Sequence, residues 1–207
     1  MTDLTLLHTA EVHRATFDRL AARIAPAARL HHVVRPDWLA RAQGGIGPTL
    51  AEEITRTIAA APGPVLCSCT TLGPVAAKAG AIRIDTPMMA AAARTGGPVL
   101  MAYCLESTRT PSRALLEAAF ADRGITGDIR ELDLRPLWPL FEAAEEQLFA
   151  SAIAAGVTQA LDAVPEITCV VLAQASMAGA AALIATDVPI LSSPELALRA
   201  ALGLALD

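Results

Sequence analysis

Short runs of apolar residues alternate along this chain with longer stretches in which apolar residues recur at helical spacing. Short apolar runs are typical of strands buried in a parallel sheet, and the longer stretches are typical of helices that cover it. The predicted strands are Leu4–His8, Leu30–Val34, Val65–Cys69, Ala81–Ile84, Val99–Cys104, Ile129–Leu134, Cys169–Ala173 and Val188–Leu191. The pattern therefore predicts an α/β protein with mainly parallel sheets.

The predicted helices fill the segments between these strands, and glycine or proline marks several of their ends. They are Glu11–Ile24, a short helix from Trp38, Leu50–Ala60, Gly73–Ala79, Met88–Arg94, Pro111–Arg123, Leu140–Leu161, Met177–Ala185 and Pro194–Leu204. The Gly96-Gly97-Pro98 break is the best boundary between two halves of the chain.

The two halves repeat one arrangement. Each has a strand that ends in a small polar cluster, then a short helix, then a strand that ends in a hydroxyl residue and proline. The first cluster begins at Cys69 and the second at Gln174. Open α/β sheets bind anions at the carboxyl ends of strands and the N-termini of helices. Two similar lobes would therefore bring both clusters together across a cleft.

Composition excludes several classes of protein. The chain has 207 residues, of which 54% are hydrophobic and 18% charged, so it is not disordered. Its most apolar stretches, 150–157 and 178–185, are shorter than the roughly 20 residues of a membrane span. The first four residues lack the pattern of a secretion signal. We expect a soluble cytoplasmic protein with no membrane partner.

Charge and residue types narrow the chemistry further. A net charge of −5 and a single tyrosine argue against a nucleic-acid partner. The one lysine, Lys78, adjoins no glycine-rich phosphate cup, which disfavours pyridoxal and Schiff-base enzymes. No His-x-x-x-His or Gly-x-Ser-x-Gly motif occurs, and Cys67-Ser-Cys69, one half of a possible thiolate metal site, has no Cys-x-x-Cys to complete it. We therefore expect neither a pyridoxal cofactor nor a metal.

Several motifs together carry a family resemblance that runs over nearly the whole chain. They are Cys69-Thr70-Thr71-Leu72-Gly73, Arg83-Ile84-Asp85-Thr86-Pro87-Met88, Ser107-Thr108-x-x-Pro111, Leu172-Ala173-Gln174-Ala175-Ser176-Met177-Ala178 and Ser192-Ser193-Pro194-Glu195-Leu196. They resemble the aspartate/glutamate racemase superfamily, and most closely its Asp/Glu/hydantoin racemase-like branch. The resemblance implies a cofactor-independent enzyme with two pseudo-symmetric, Rossmann-like α/β lobes, a site at the lobe interface, and a homodimer. In that superfamily, one cysteine thiol removes the proton α to a carboxylate, and a second thiol returns a proton on the opposite face.

On this basis we expect residues 1–96 and 190–207 to form lobe 1, which carries Cys69, and residues 97–189 to form lobe 2, which carries Gln174. Cys69 is the candidate catalytic thiol, because a thiol at a strand end before a helix N-terminus has a lowered pKa. The hydroxyls of Thr70 and Thr71 and nearby backbone N–H groups would hold a substrate carboxylate and stabilise enediolate-like charge. The alternative is that Cys69, like Cys67, is a small core residue.

Gln174 is a departure from the family pattern, because it stands where the second catalytic cysteine belongs. Glutamine cannot carry a proton as an acid or base. Three possibilities remain open. Cys104 supplies a second thiol from another place; Cys69 acts alone, as in relatives resembling maleate isomerase or arylmalonate decarboxylase; or the protein binds a small carboxylate without turning it over.

The remaining candidate residues would contact the substrate. Ser107, Thr108 and Ser176 would bind its oxygens, although each is equally suited to capping a helix. Gln174 would orient the substrate. His8 ends the first predicted strand, where it would act at the cleft rim as an acid or hydrogen-bond donor, unless it is structural.

Overall fold

The computed structural model describes residues 3–205, which form two compact units. Unit 1 contains the described residues up to Pro87 and those from Pro194 onward, and unit 2 contains Met88–Ser193. The chain passes between the units at the first turns of two helices, Thr86–Thr95 and Ser193–Ala201. Each of these helices therefore follows the last strand of one unit and belongs by its contacts to the other.

Unit 1 is built on a parallel sheet of strand order β2-β1-β3-β4. Its strands are β1 (Asp3–His8), β2 (Arg29–Val34), β3 (Val65–Cys67) and β4 (Ile82–Arg83). The central strands are the most apolar: Leu4 and Leu6 of β1 and Leu66 of β3 have no exposed surface. Burial on both faces is expected for the centre of a sheet covered by helices.

Unit 2 repeats this topology, with strand order β6-β5-β7-β8 and parallel pairing throughout its sheet. Its strands are β5 (Val99–Tyr103), β6 (Ile129–Asp133), β7 (Cys169–Leu172) and β8 (Ile190–Ser192). The sequence-based prediction of an α/β fold with two similar, parallel-sheet lobes is confirmed. Every predicted strand is present, with ends that differ by a few residues.

Helices cover the faces of both sheets. They are α1 (Val12–Ile24), α2 (Pro36–Ala42), α3 (Pro48–Ala59), α4 (Gly73–Lys78), α5 (Thr86–Thr95), α6 (Glu106–Ala121), α7 (Trp138–Glu142), α8 (Glu146–Ala163) and α9 (Ser193–Ala201), with 3-10 helices at Arg135–Leu137 and Ala175–Leu183. Among residues 3–205, no helix combines the length and the apolar character that a bilayer crossing requires.

Three predicted elements were wrong in their bounds or type. The single helix predicted over 140–161 is interrupted, because Ala144 adopts φ 58° and ends α7 before α8 begins. The helix predicted over 177–185 is the 3-10 helix Ala175–Leu183. Helix α6 begins at Glu106 rather than at Pro111, so Ser107 and Thr108 lie inside its first turn instead of before it.

The core of unit 1 shows which face of the sheet each side chain occupies. Leu7, Cys67 and Cys69 pack with Leu50 and Ile54 of α3. Successive residues of a strand point to opposite faces, so His8, next to Leu7, points to the other face. Its ring contacts the ring of Phe17 in α1, with a centroid separation of 5.4 Å. The sheet thus separates the Cys69 side from the His8 side.

Candidate functional site

Cys69 lies two residues beyond the end of β3, at the carboxyl edge of the unit 1 sheet. Its sulfur accepts hydrogen bonds from the hydroxyls of Thr9 and Thr71 and from the backbone N–H groups of Thr71 and Leu72. Thr9 follows β1, which pairs directly with β3. The thiol is therefore surrounded by donors from two neighbouring strand ends.

The hydrogen-bond donors and the burial of the side chain shift the pKa of the Cys69 thiol in opposite directions. Burial raises the pKa of Cys69, because Cys69 is only 8% exposed and a thiolate is poorly solvated there. The donors lower the pKa, but burial outweighs them, contrary to the predicted net lowering. At neutral pH the thiol holds its proton. The donors are nevertheless placed to stabilise the thiolate that remains once the proton is given away.

The threonines beside Cys69 are also buried, with Thr70 3% and Thr71 7% exposed. Thr71 interacts with the sulfur through both its hydroxyl and its backbone N–H. Cys67, at the end of β3, has no exposed surface, and its sulfur donates to the carbonyl oxygen of Cys69 at 3.6 Å. Burial raises the pKa of Cys67. Cys67 is a core residue, as the sequence indicated.

A buried ion pair lies beside this strand end. The Arg83 guanidinium donates to both carboxylate oxygens of Asp85, at 2.9 and 2.6 Å. The Asp85 side chain is wholly buried and the Arg83 side chain is 11% exposed. Asp85 therefore holds Arg83 in place. A buried carboxylate requires such a partner.

His8 lies inside unit 1 and has no exposed surface. Its Nδ1 is 2.7 Å from Ser68 Oγ, and its Nε2 is 2.9 Å from His32 Nδ1. Burial lowers the pKa of His8 to about 3, and electrostatic interactions with His13, His32 and Arg14 lower it further. Both ring nitrogens are thus engaged within unit 1, and the ring is neutral at neutral pH.

In unit 2, Gln174 occupies the place that Cys69 occupies in unit 1. Cys69 comes two residues after Cys67, which pairs with β1, and Gln174 comes two residues after Leu172, which pairs with β5. Gln174 is 6% exposed, and its Oε1 accepts a hydrogen bond from the backbone N–H of Cys104 at 2.6 Å. By the same register, Cys104 corresponds to Thr9 of unit 1.

The other unit 2 candidates come shortly after β5 and β7 in sequence. Burial and the nearby Asp133 raise the pKa of the Cys104 thiol to about 12, so this thiol is protonated. Thr108 is buried and Ser107 is partly buried in the first turn of α6, while Ser176 is partly buried in a 3-10 helix. Unit 1 thus carries Cys69, Thr70, Thr71 and His8, and unit 2 carries Ser107, Thr108, Gln174 and Ser176.

Comparison with known sequences does not assign the chain to a family. No family model matches the chain. A tRNA N6-adenosine threonylcarbamoyltransferase from Paracoccus denitrificans (strain Pd 1222) is 33% identical over 130 residues, which cover 61% of this chain. Since the match covers 34% of that protein, the chain spans about a third of the length of this curated relative.

Comparison with solved structures identifies the fold. Glutamate racemase from Francisella tularensis has a TM-score of 0.66 at 12% identity, covering 98% of this chain and 80% of the racemase. Aspartate racemase from Picrophilus torridus has a TM-score of 0.66 at 12% identity, covering 98% and 94%. A liganded arylmalonate decarboxylase mutant has a TM-score of 0.59 at 14% identity, covering 99% and 92%. The chain has the aspartate/glutamate racemase fold.

Within this racemase fold, sequence reasoning missed two residues that contact the candidate side chains. Thr9 donates to the Cys69 sulfur, and its position directly after a strand that neighbours β3 was the available signal. His32 meets His8, although the two are 24 residues apart. The register pairs Leu6 with His32, so His32 shares a face with the residue two positions after Leu6, which is His8.

Gly73, the first residue of α4 in the racemase fold, gives a testable prediction. A Cβ atom there would lie 2.8 Å from Arg83 Nε. Arg83 cannot swing away without leaving the buried Asp85 carboxylate unpaired. We expect Gly73→Ala to lower the free energy of unfolding by about 1–3 kcal/mol, the usual cost of overpacking. Urea unfolding measures this difference.

Gly44→Ala is the matched control, because a Cβ at Gly44 has no atom within 4 Å. We expect its free energy of unfolding to stay within about 0.5 kcal/mol of wild type. Equal stability of the two variants would show that the Arg83 side chain is not pinned over Gly73.

Proposed function

We propose that the protein is a cofactor-independent enzyme that acts at the α-carbon of a small carboxylate, with Cys69 as the group that transfers the proton. One observation carries the proposal: the Cys69 sulfur lies at the carboxyl edge of the unit 1 sheet, among hydrogen-bond donors from Thr9, Thr71 and Leu72. The glutamate and aspartate racemases and the arylmalonate decarboxylase that share the fold support the same reaction class.

The protonation state of Cys69 suits it to give a proton. Burial keeps the thiol protonated at neutral pH. In the proposed step, the electron pair on the substrate α-carbon takes the thiol proton, so that a C–H bond forms and a thiolate remains. The hydroxyls of Thr9 and Thr71 and the two backbone N–H groups stabilise that thiolate. Proton removal in the opposite direction uses the same groups in reverse.

A second candidate function is a one-sided reaction, decarboxylation or isomerisation, rather than racemisation. Gln174 stands at the register position that corresponds to Cys69, and its amide carries no transferable proton. In decarboxylation the bond between the α-carbon and the carboxyl carbon breaks, and carbon dioxide leaves. The electron pair stays on the α-carbon and takes the Cys69 proton, and water then restores the thiol. Only one proton donor is needed.

The remaining candidates would bind the substrate. The hydroxyls of Thr70, Ser107, Thr108 and Ser176 would bind the carboxylate and other oxygens, while the Thr71 hydroxyl stays on the Cys69 sulfur and only its neighbourhood contributes to binding. Gln174 has its Oε1 occupied by the Cys104 N–H, so its amide N–H₂ group is the part left to donate to a substrate oxygen. If turnover has been lost, the same groups would make a small-carboxylate binding protein.

Incubation in deuterated water with amino acids, hydantoins and substituted malonates tests the function. For a racemase we expect deuterium at the α-carbon together with inversion. A one-sided enzyme would release carbon dioxide from a malonate and incorporate one deuterium with a single configuration. Mass spectrometry and chiral chromatography distinguish the two. Binding of these acids by calorimetry, without exchange or loss of carbon dioxide, would instead support the binding protein and overturn the enzyme.

A further inference from the structure

The turn that follows Cys69 carries two of the donors to its sulfur. This turn, residues 70–73, is closed by a hydrogen bond from its last N–H to its first carbonyl oxygen, at 3.0 Å. We call it the donor turn, because the backbone N–H groups of Thr71 and Leu72 within it donate to the Cys69 sulfur. The direction of both N–H groups depends on whatever holds the donor turn in place.

The Arg83 side chain covers Gly73, the last residue of the donor turn. A Cβ atom on Gly73 would lie 3.2 Å from Arg83 Cζ and 3.4 Å from Arg83 Cδ, as well as 2.8 Å from Nε. The guanidinium and the end of its stem therefore lie against the backbone of the turn, in the space that any other side chain at position 73 would fill. Since the buried Gly73 also supplies the N–H that closes the turn, a group fixed against it restrains the turn.

The register of the sheet explains why Arg83 reaches the donor turn. Arg83 pairs with Cys67 in the parallel ladder between β4 and β3, so their side chains point to the same face. Cys67 packs in one core cluster with Cys69 and with Leu72 of the donor turn. Arg83 and Asp85 both interact electrostatically with Cys67. The ion pair therefore lies on the face of the sheet that carries the candidate thiol.

Asp85 fixes the orientation of the guanidinium. Its carboxylate accepts one hydrogen bond from Arg83 Nε and another from a terminal nitrogen of Arg83. Two parallel hydrogen bonds fix the plane of a guanidinium as well as its position. The atom that comes nearest to the Cβ position of Gly73 is the same Nε, so the anchored part of Arg83 is the part that touches the turn. Because Asp85 is wholly buried, its charge holds Arg83 there.

We propose that Arg83, anchored by Asp85, is a positioning residue that holds the donor turn against the Cys69 sulfur. Arg83 acts through the backbone of Gly73, and so through the two N–H groups that precede Gly73 in the turn. This inference rests on the proposed function, in which those N–H groups stabilise the thiolate that remains once Cys69 has given its proton to the substrate. The hydroxyl of Thr9, which follows β1, donates to the sulfur independently of the turn.

The test measures the acidity of the Cys69 thiol and needs no substrate. Carbon-13 NMR of labelled cysteine Cβ atoms follows ionisation of the thiol against pH, and Cys69→Ala assigns the signal. The double variant Arg83→Met with Asp85→Leu replaces the ion pair by apolar side chains, a change that is often neutral or stabilising. We expect its unfolding curve to match wild type and its Cys69 thiol to be about 10-fold weaker as an acid, the effect of losing about one hydrogen bond to a charged group.

Arg83→Lys separates positioning from charge. Lysine keeps a positive charge beside Asp85, but its ammonium is a flexible point charge with no planar fork to lie against Gly73. We expect the Cys69 thiol of this variant to be weakened nearly as much as in the double variant. Wild-type acidity of Cys69 in Arg83→Lys would overturn the positioning role, because a charge alone would then suffice. Since Arg83→Lys leaves no buried charge unpaired, it decides the question even if the double variant does not fold.

Arg130→Met with Asp128→Leu is the matched control. Arg130 and Asp128 are also two residues apart and share two hydrogen bonds, at 2.8 and 2.9 Å, but this pair is exposed and belongs to unit 2. We expect the acidity of Cys69 to be unchanged in it. Wild-type acidity in the Arg83 and Asp85 double variant, or an equal effect in the control, would overturn the positioning role alone. Full turnover by Cys69→Ala, with the acidity changes intact, would instead overturn the proposed function.

Discussion

Replacing Cys69 with alanine is expected to lower turnover of any substrate found for this protein by about 100-fold or more, the contribution of a positioned acid or base. The variant removes the proton carried by the buried thiol and leaves the donors from Thr9, Thr71 and Leu72 with no sulfur to stabilise. Cys69→Ser should be similarly inactive, because a serine hydroxyl is a far weaker acid than a thiol. Steady-state kinetics with the substrate identified by deuterium incorporation measure the loss.

Cys169→Ala is the control for this experiment. Cys169 is also buried, but it is the first residue of β7 and lies at the opposite end of that strand from Gln174. We expect its turnover to match wild type. Full turnover by Cys69→Ala, in a sample whose circular dichroism and unfolding curve match wild type, would exclude Cys69 as the proton-transfer group.

Acidification is expected to destabilise unit 1 through His8 and His13. The folded state holds their pKa values at about 3 and about 4, below the 6.5 of a free histidine. Below pH 6.5 these two histidines therefore bind protons in the unfolded chain but stay unprotonated in the folded chain. Stability is fully present above that pH and falls by up to about 1.4 kcal/mol per pH unit for each histidine. From pH 6.5 to 4.5 the two losses sum to about 4 kcal/mol.

Urea unfolding between pH 7 and 4.5 measures this loss. His13→Leu should reduce the slope of the free energy of unfolding against pH by the contribution of one proton, about 1.4 kcal/mol per pH unit. The variant removes one group that is protonated in this pH range only in the unfolded state. His31→Phe is the control variant outside the core, since the His31 side chain is 49% exposed. A stability that does not change between pH 7 and 5, or an unaltered slope in His13→Leu, would contradict neutral burial of these rings.

The strands could be predicted from the sequence because the buried runs are short, apolar and separated by glycine, proline or polar turns. The break at Ala144 could not, because the segment around it is alanine- and glutamate-rich, with no glycine to indicate a left-handed residue. The start of α6 was missed for a related reason. Proline is most often found in the first turn of a helix, and Pro111 therefore suggested a helix start. In the structure Pro111 lies inside α6, five residues after its first residue.

The placement of Cys69 at the end of a strand could be predicted from the sequence, but its electrostatics could not. Strand ends of a parallel sheet share one edge, so the location of Cys69 follows from the order of elements. Its pKa does not, because burial by residues distant in sequence outweighs the nearby donors. The contact of His8 with His32 depends on the register of β1 and β2, which a single sequence does not fix. The roles given to the substrate-binding residues stay predictions.

The passage of the chain between the units has a consequence for biosynthesis. The strands of unit 1 leave the ribosome first, but α9, which supplies the buried Ala197 and Leu198 to that unit, is translated after all of unit 2. Unit 2 is continuous in sequence, so it can acquire its full complement of residues earlier. Unit 1 therefore lacks part of its own residues until all of unit 2 has been synthesised, although its strands are made first.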